Sequence, residues 1–175
     1  VRAAREACAR EDLQRRLTLR DQLSAAIGQG ATAAGVEAFW AADEATRAAV
    51  RDRVHSRELF WIDELGPFAG RTPVRTAAAV AALVRLEQTS GPAQLAELLD
   101  ELAAQDGLLH RSTAAYRLLQ EARSRLKGQR RTAALEQLAA VEAAAGSDLL
   151  TARASLAALD ERALAAEDRE RLAAV

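Results

Sequence analysis

Apolar residues recur along this chain at three- and four-residue intervals, and no stretch alternates singly between apolar and polar. Helix is therefore the predicted element throughout. Leu13, Leu17 and Ile27, with Leu23 at the edge, make one stripe of a first helix over residues 3–27, which stops at Gly28 and Gly30. From Thr32, the residues Val36, Phe39, Trp40, Val50 and Val54 share a face, but Asp43 and Arg47 would fall on the same face. A break near Ala42, with Asp43 capping a new helix, removes that conflict. Ser56 is placed to cap a short helix through Leu65, and Gly66-Pro67 ends it.

Residues 66–73 read as the clearest loop, and as the boundary if there are two subdomains, 1–66 and 72–175. Thr72-Pro73 suits an N-cap followed by the first helical position. The helix that follows carries Val74, Val80, Leu83, Val84 and Leu86 and stops at Ser90-Gly91. Pro92 restarts helix, with Leu95, Leu98, Leu99 and Leu102 as a buried stripe ending at Gly107. Two helices are then predicted, over residues 112–127 and 132–145, separated by Gly128. A last helix, capped by Ser147, holds Leu149, Ala152, Leu156, Leu159, Ala163 and Ala166 in alternating three- and four-residue steps, close to a coiled-coil seam, until Glu170 interrupts it. The fold class read from this is all-α, an antiparallel helical bundle of about 7–8 helices, with a short α-solenoid as the alternative.

Composition sharpens the picture. Ala, Glu, Lys, Leu and Arg supply 108 of the 175 residues, the mark of long helices. Leu, Ile, Val and Phe together number only 39, and 44 alanines carry the rest of the apolar count. Alanine favours helix but buries little area, so such helices must approach closely or lean on a partner. Arginine outnumbers lysine 23 to 1, which points to a GC-rich coding sequence, and methionine is absent. The chain is therefore expected to be part of a longer bacterial protein. Cys8 is the sole cysteine, so no internal disulfide forms, and a reducing, cytoplasmic setting is expected. The apolar runs, such as the alanine-rich one around residues 77–83, fall far below the ~20 residues that span a bilayer.

Charge is unevenly distributed. Residues 91–110 hold four acids and no Lys or Arg, whereas 111–131 hold seven bases against Glu121 alone. Arg117, Arg123, Lys127, Arg130 and Arg131 are candidate nucleic-acid contacts, since a strip without acids can neutralise several phosphates. The competing reading is internal pairing: Glu97 and Glu101 repel each other at i,i+4 and need bases from a neighbouring helix. Residues 111–119, Arg-Ser-Thr-Ala-Ala-Tyr-Arg-Leu-Leu, resemble the recognition helix of helix-turn-helix DNA-binding proteins, preceded by an amphipathic helix and a glycine. That resemblance implies short polar residues at the helix start meeting base edges, within a segment spanning 95–131.

Residues 59–64, Leu-Phe-Trp-Ile-Asp-Glu, resemble the Walker B strand of nucleotide hydrolases, and Gly30 and Gly35 have the outer glycine spacing of a phosphate loop. Val36 and Glu37 then occupy the positions of the loop's Lys and Ser/Thr, so the phosphate-holding chemistry is missing. Asp63 and Glu64 read more simply as the solvated end of a short helix. His55 and His110 are 55 positions apart with no acid at metal-ligand spacing, and the serines suit caps better than nucleophiles. No catalytic residue, cofactor or metal ligand is expected.

Five of the six aromatics fall between residues 39 and 68. Phe39 and Phe60 are expected in the core, and adjacent rings on a helix diverge by about 100°, which leaves Trp40 or Trp61 to reach a partner. The expectation is a non-enzymatic helical interaction or scaffolding module. It would bind another protein or a flanking domain through Trp40, Trp61, Leu149, Leu156 and Leu159, with nucleic-acid binding as the alternative. Oligomerisation is compatible with that reading, and no membrane partner is expected.

Overall fold

The computed structural model describes residues 2–68, 72–145 and 148–173, and among them the chain is all-α, with no strand. The helices are α1 (Arg2–Gly28), α2 (Ala33–Ala41), α3 (Glu44–Arg53), α4 (Arg57–Leu65), α5 (Pro73–Gln88), α6 (Pro92–Ala103), α7 (Asp106–Leu109), α8 (Thr113–Ala145), α9 (Leu149–Ala158) and α10 (Ala166–Ala173). A single 3₁₀ turn, Glu161–Ala163, lies between α9 and α10. No helix among the described residues is long and apolar enough to cross a membrane.

The chain resolves into two compact units, one of Val1–Thr89 with Glu97–Leu118 and one of Ser90–Ala96 with Leu119–Val175. This division differs from subdomains of 1–66 and 72–175. The connection at residues 66–72 lies inside the first unit, where α4 packs against α5 on its far side.

In the first unit, capping chemistry sets most helix starts. Thr32, Asp43 and Ser56 each accept a hydrogen bond from the backbone N–H three residues on, at Gly35, Thr46 and Leu59. Pro73 opens α5 as expected, although the Thr72 side chain makes no cap bond and Val74 is exposed. Gly30 turns the chain between α1 and α2 at φ 111°, a conformation that side chains disfavour. α1 packs on α2 and α3, and α5 packs on α2 and α4. Leu23, Ile27, Val36, Phe39, Val50, Leu59, Trp61, Ile62, Leu65, Val80, Leu83 and Leu86 are enclosed there. Residues 5–16 of α1 are exposed on every face, so only its C-terminal part joins this core.

Two local expectations are corrected here. Phe60 is 41 % exposed and Trp61 is the enclosed ring. The buried residues Leu59, Trp61, Ile62 and Leu65 centre on one side of α4, and Phe60 points away from it at 100° per residue. Arg57 covers the outward ring at 4.5 Å. Gly107 does not end a helix but lies within α7, after the chain tightens through a Gln105 N–H bond to the Leu102 carbonyl. Residues 59–64 are helix, as the Ser56 cap and the stop at Gly66 imply, so the hydrolase resemblance has no structural counterpart.

The second unit is built on the long C-terminal stretch of α8, continued by α9, the 3₁₀ turn and α10. Gly128 does not divide α8, and a substitution there would meet no neighbour. A lone glycine costs a helix only about 1 kcal/mol, which the surrounding Ala, Leu, Arg and Gln positions outweigh. The single seam expected after residue 147 is likewise corrected. Ser147 lies outside the described residues and Asp148 caps α9 through the N–H groups of Leu150 and Thr151. Leu159 ends α9, and Asp160 accepts from the Arg162 N–H to start the 3₁₀ turn. Leu95, Leu119, Ala122, Ala134, Leu138, Val141 and Leu164 are buried apolar residues of this unit.

Candidate functional site

An α-helix turns 100° and rises 1.5 Å per residue, which places Arg123, Lys127 and Arg130 of α8 within about 60° of one another along about 10 Å of axis. The same wheel places Ala134, Leu138 and Val141 on that face, and these three are buried. One face of α8 is therefore basic in its middle and apolar towards its C-terminus. The returning chain follows this face. Asp160, Arg162 and Ala163 lie beside Arg123, Leu126, Lys127 and Arg130, and Asp168 then meets Arg131 at 3.3 Å. Arg171 meets Glu142 at 2.9 Å.

The result is a groove of about 240 Å³ with Leu126 and Ala163 in its lining and with Arg123, Lys127, Arg130 and Arg162 set against Asp160. Among the described residues none of those four basic side chains has an ion-pair or hydrogen-bond partner, whereas the neighbouring Arg131 is held by Asp168 and by Glu167 at 3.6 Å. Arg131 is thus internally paired, whereas among the described residues Arg123, Lys127 and Arg130 have no ion-pair partner. Glu101, in the acidic stretch, pairs with Arg85 at 2.7 Å in the first unit.

A second hollow, of about 420 Å³, lies in the first unit between Phe39, Trp40, Glu44, Arg47, Arg51, Asp63, Gly66 and Pro67. Its charges are matched internally. Arg51 binds Asp63 through two bonds of 2.9 and 2.7 Å and Glu44 at 2.6 Å, and Arg47 also binds Glu44. The Arg51 and Arg47 guanidinium groups hold the Glu44 carboxyl below its usual range, and Asp63 and Glu44 raise Arg51. Asp63 is thus an anchor for α3 rather than a solvated helix end. Glu64 is one too, accepting a 2.7 Å bond from the Ser112 hydroxyl.

That bond bears on the helix-turn-helix resemblance. Ser112 is fully buried, and its Oγ also accepts from the Ala115 N–H. The residue that would begin a base-reading helix is engaged inside the first unit, and α7 stands where the motif has a tight turn. Arg117 is exposed, belongs to the first unit and is not among the groove's lining residues.

The residues expected to meet a protein partner fall in different places. Trp61 is 2 % exposed, which leaves no ring face for a partner. Trp40 is half-buried, its Nε1–H donating to the Ile62 carbonyl at 3.4 Å, and a side chain at Gly66 would come within 3.0 Å of that nitrogen. Leu156 is 43 % exposed and Leu159 half-buried, while the Leu149 side chain lies outside the described set. Leu150, which the seam reading passed over, is 82 % exposed, and Ala154 and Ala157 on its face of α9 are exposed as well. Arg162 and Asp160 were also missed. The expected seam runs straight through Asp160-Glu161-Arg162, and nothing in those residues points to a strip some thirty residues earlier.

His55 is exposed and His110 stacks on Tyr116 with ring centroids 5.1 Å apart. Among the described residues no group of three or more His, Cys, Asp or Glu side chains is arranged to hold a metal ion. No family model, curated protein or solved structure matches the chain.

Proposed function

We propose that this chain is a non-enzymatic helical interaction module that docks a partner helix on α9. The first unit serves as a folded platform, and the second presents the docking face. The observation that supports this reading is the outward side of α9, where Leu150 is 82 % exposed beside exposed Ala154 and Ala157. Leu23, Leu65, Leu83 and Leu86, by contrast, are enclosed. An Ala/Leu face of this kind lets a second helix approach closely, and full burial of one leucine contributes about 1.5–3 kcal/mol. A second copy of the chain or a flanking helix of the same protein satisfies this chemistry.

Sedimentation over a wide concentration range tests it, with wild type compared against Leu150→Glu. Concentration-dependent association that the charged variant weakens at least tenfold is the expected result. A compact monomer at every concentration, in the longest soluble form of the protein, would overturn the proposal.

A further inference from the structure

We propose that the groove between α8 and the 3₁₀ turn is a docking site for the sugar–phosphate backbone of double-stranded nucleic acid, held without regard to base sequence. The inference is independent of the α9 face and rests on three features of the second unit. Arg123, Lys127, Arg130 and Arg162 converge on one groove, and among the described residues none has a counter-charge there except the lining carboxylate of Asp160. Arg123 and Lys127 are separated by about 6 Å of helix axis, and Lys127 and Arg130 by about 4.5 Å. A rigid row of charges spread along about 10 Å of axis can face successive phosphates of a strand, which follow one another every ~3.4 Å of axis. A flexible acidic peptide would lose conformational entropy to match it. Guanidinium groups also grip phosphate oxygens in bidentate fashion. Leu126 and Ala163 offer no side-chain donor or acceptor to a base edge, and no aromatic ring lines the groove to stack an unpaired base. The helix-turn-helix resemblance implied base reading at residues 112–113; the groove instead assigns contact to the backbone.

Fluorescence anisotropy of labelled 20-base-pair duplexes of two unrelated sequences tests the proposal. Both duplexes should bind alike, in the range of about 10⁻⁴ to 10⁻⁶ M, with log affinity falling against log salt at a slope of about −3 for three to four phosphates. The triple variant Arg123→Ala, Lys127→Ala, Arg130→Ala should lose about tenfold or more at low salt and flatten the slope. A control that removes two exposed arginines outside the groove's lining, Arg153 and Arg169, should retain most of the affinity. Asp160→Asn should strengthen binding about two- to threefold by removing the one opposing charge. Circular dichroism confirms that each variant keeps its helix content. Four results would each overturn the proposal: no anisotropy change at low salt; equal affinity for wild type and the triple variant; poly-glutamate or anionic vesicles bound as tightly as duplex; or tighter binding of single strands.

Discussion

The two units use the same residue alphabet in opposite ways. All six aromatic residues belong to the first, where Phe39 and Trp61 are enclosed among leucines and valines; the second has none and closes its core with Leu119, Ala134, Leu138, Val141 and Leu164. Arginine follows the same division. In the first unit Arg51, Arg57 and Arg85 are tied to Asp63, Glu87 and Glu101, each reaching from one helix to another. In the second, Arg131 and Arg171 are tied down, while among the described residues Arg123, Lys127, Arg130 and Arg162 have no ion-pair partner. Both units use some charges as links between helices, and the difference lies in the basic side chains of the second that have no described partner.

This contrast is most exposed to refutation at Trp61. Replacing it by alanine should cost about 3–5 kcal/mol in chemical denaturation, whereas Leu156→Ala in the second unit should stay within about 0.5 kcal/mol. Equal losses would erase the distinction between a packed platform and an open docking face. Ser112→Ala should cost about 1–2 kcal/mol, because it removes both the α8 cap bond and the partner of Glu64. Gly128→Ala should raise the thermal midpoint by the equivalent of about 0.5–1 kcal/mol, since the new methyl group meets no neighbour. A loss of stability there would mean that α8 relies on a bend at that position.

The smallest effect concerns acid. The Thr46 N–H bond lowers the Asp43 pKa, the Arg51 and Arg47 bonds lower that of Glu44, and the Thr151 hydroxyl and N–H lower that of Asp148. A carboxyl held below its unfolded value adds stability above the unfolded pKa and loses it as pH falls through the folded one. Unfolding midpoints should therefore decline on acidification below about pH 4–5. Asp43→Asn should flatten the first unit's share of that decline while leaving the Asp148 share in place.

What was legible in advance was local. Asp43 and Ser56 cap helices because a short acceptor side chain can reach the N–H three residues on, and Pro73 and Pro92 open helices because proline needs no N–H there. The break at Ala42 followed from a clash of phase between Asp43 and the apolar face. Gly128 misled because an isolated glycine only weakens a helix. The seam misled because the step pattern of residues 149–166 continues through Asp160, whose carboxylate finds the Arg162 N–H and starts a turn instead. Of the candidate groove, the strip at 123–130 was visible as a run of like charge, and Arg162 was not.

The sequence by itself determined that this chain is helical and where most helices begin, because propensity, capping and apolar period act over a few residues. Only the tertiary structure decided that Trp61 rather than Phe60 is enclosed, that Ser112 meets Glu64, that Arg131 is paired, and that Arg162 joins the bases of α8. Each of those outcomes depends on which distant segment arrives alongside, and on whether it brings an opposite charge, a hydrogen-bond partner or an apolar surface.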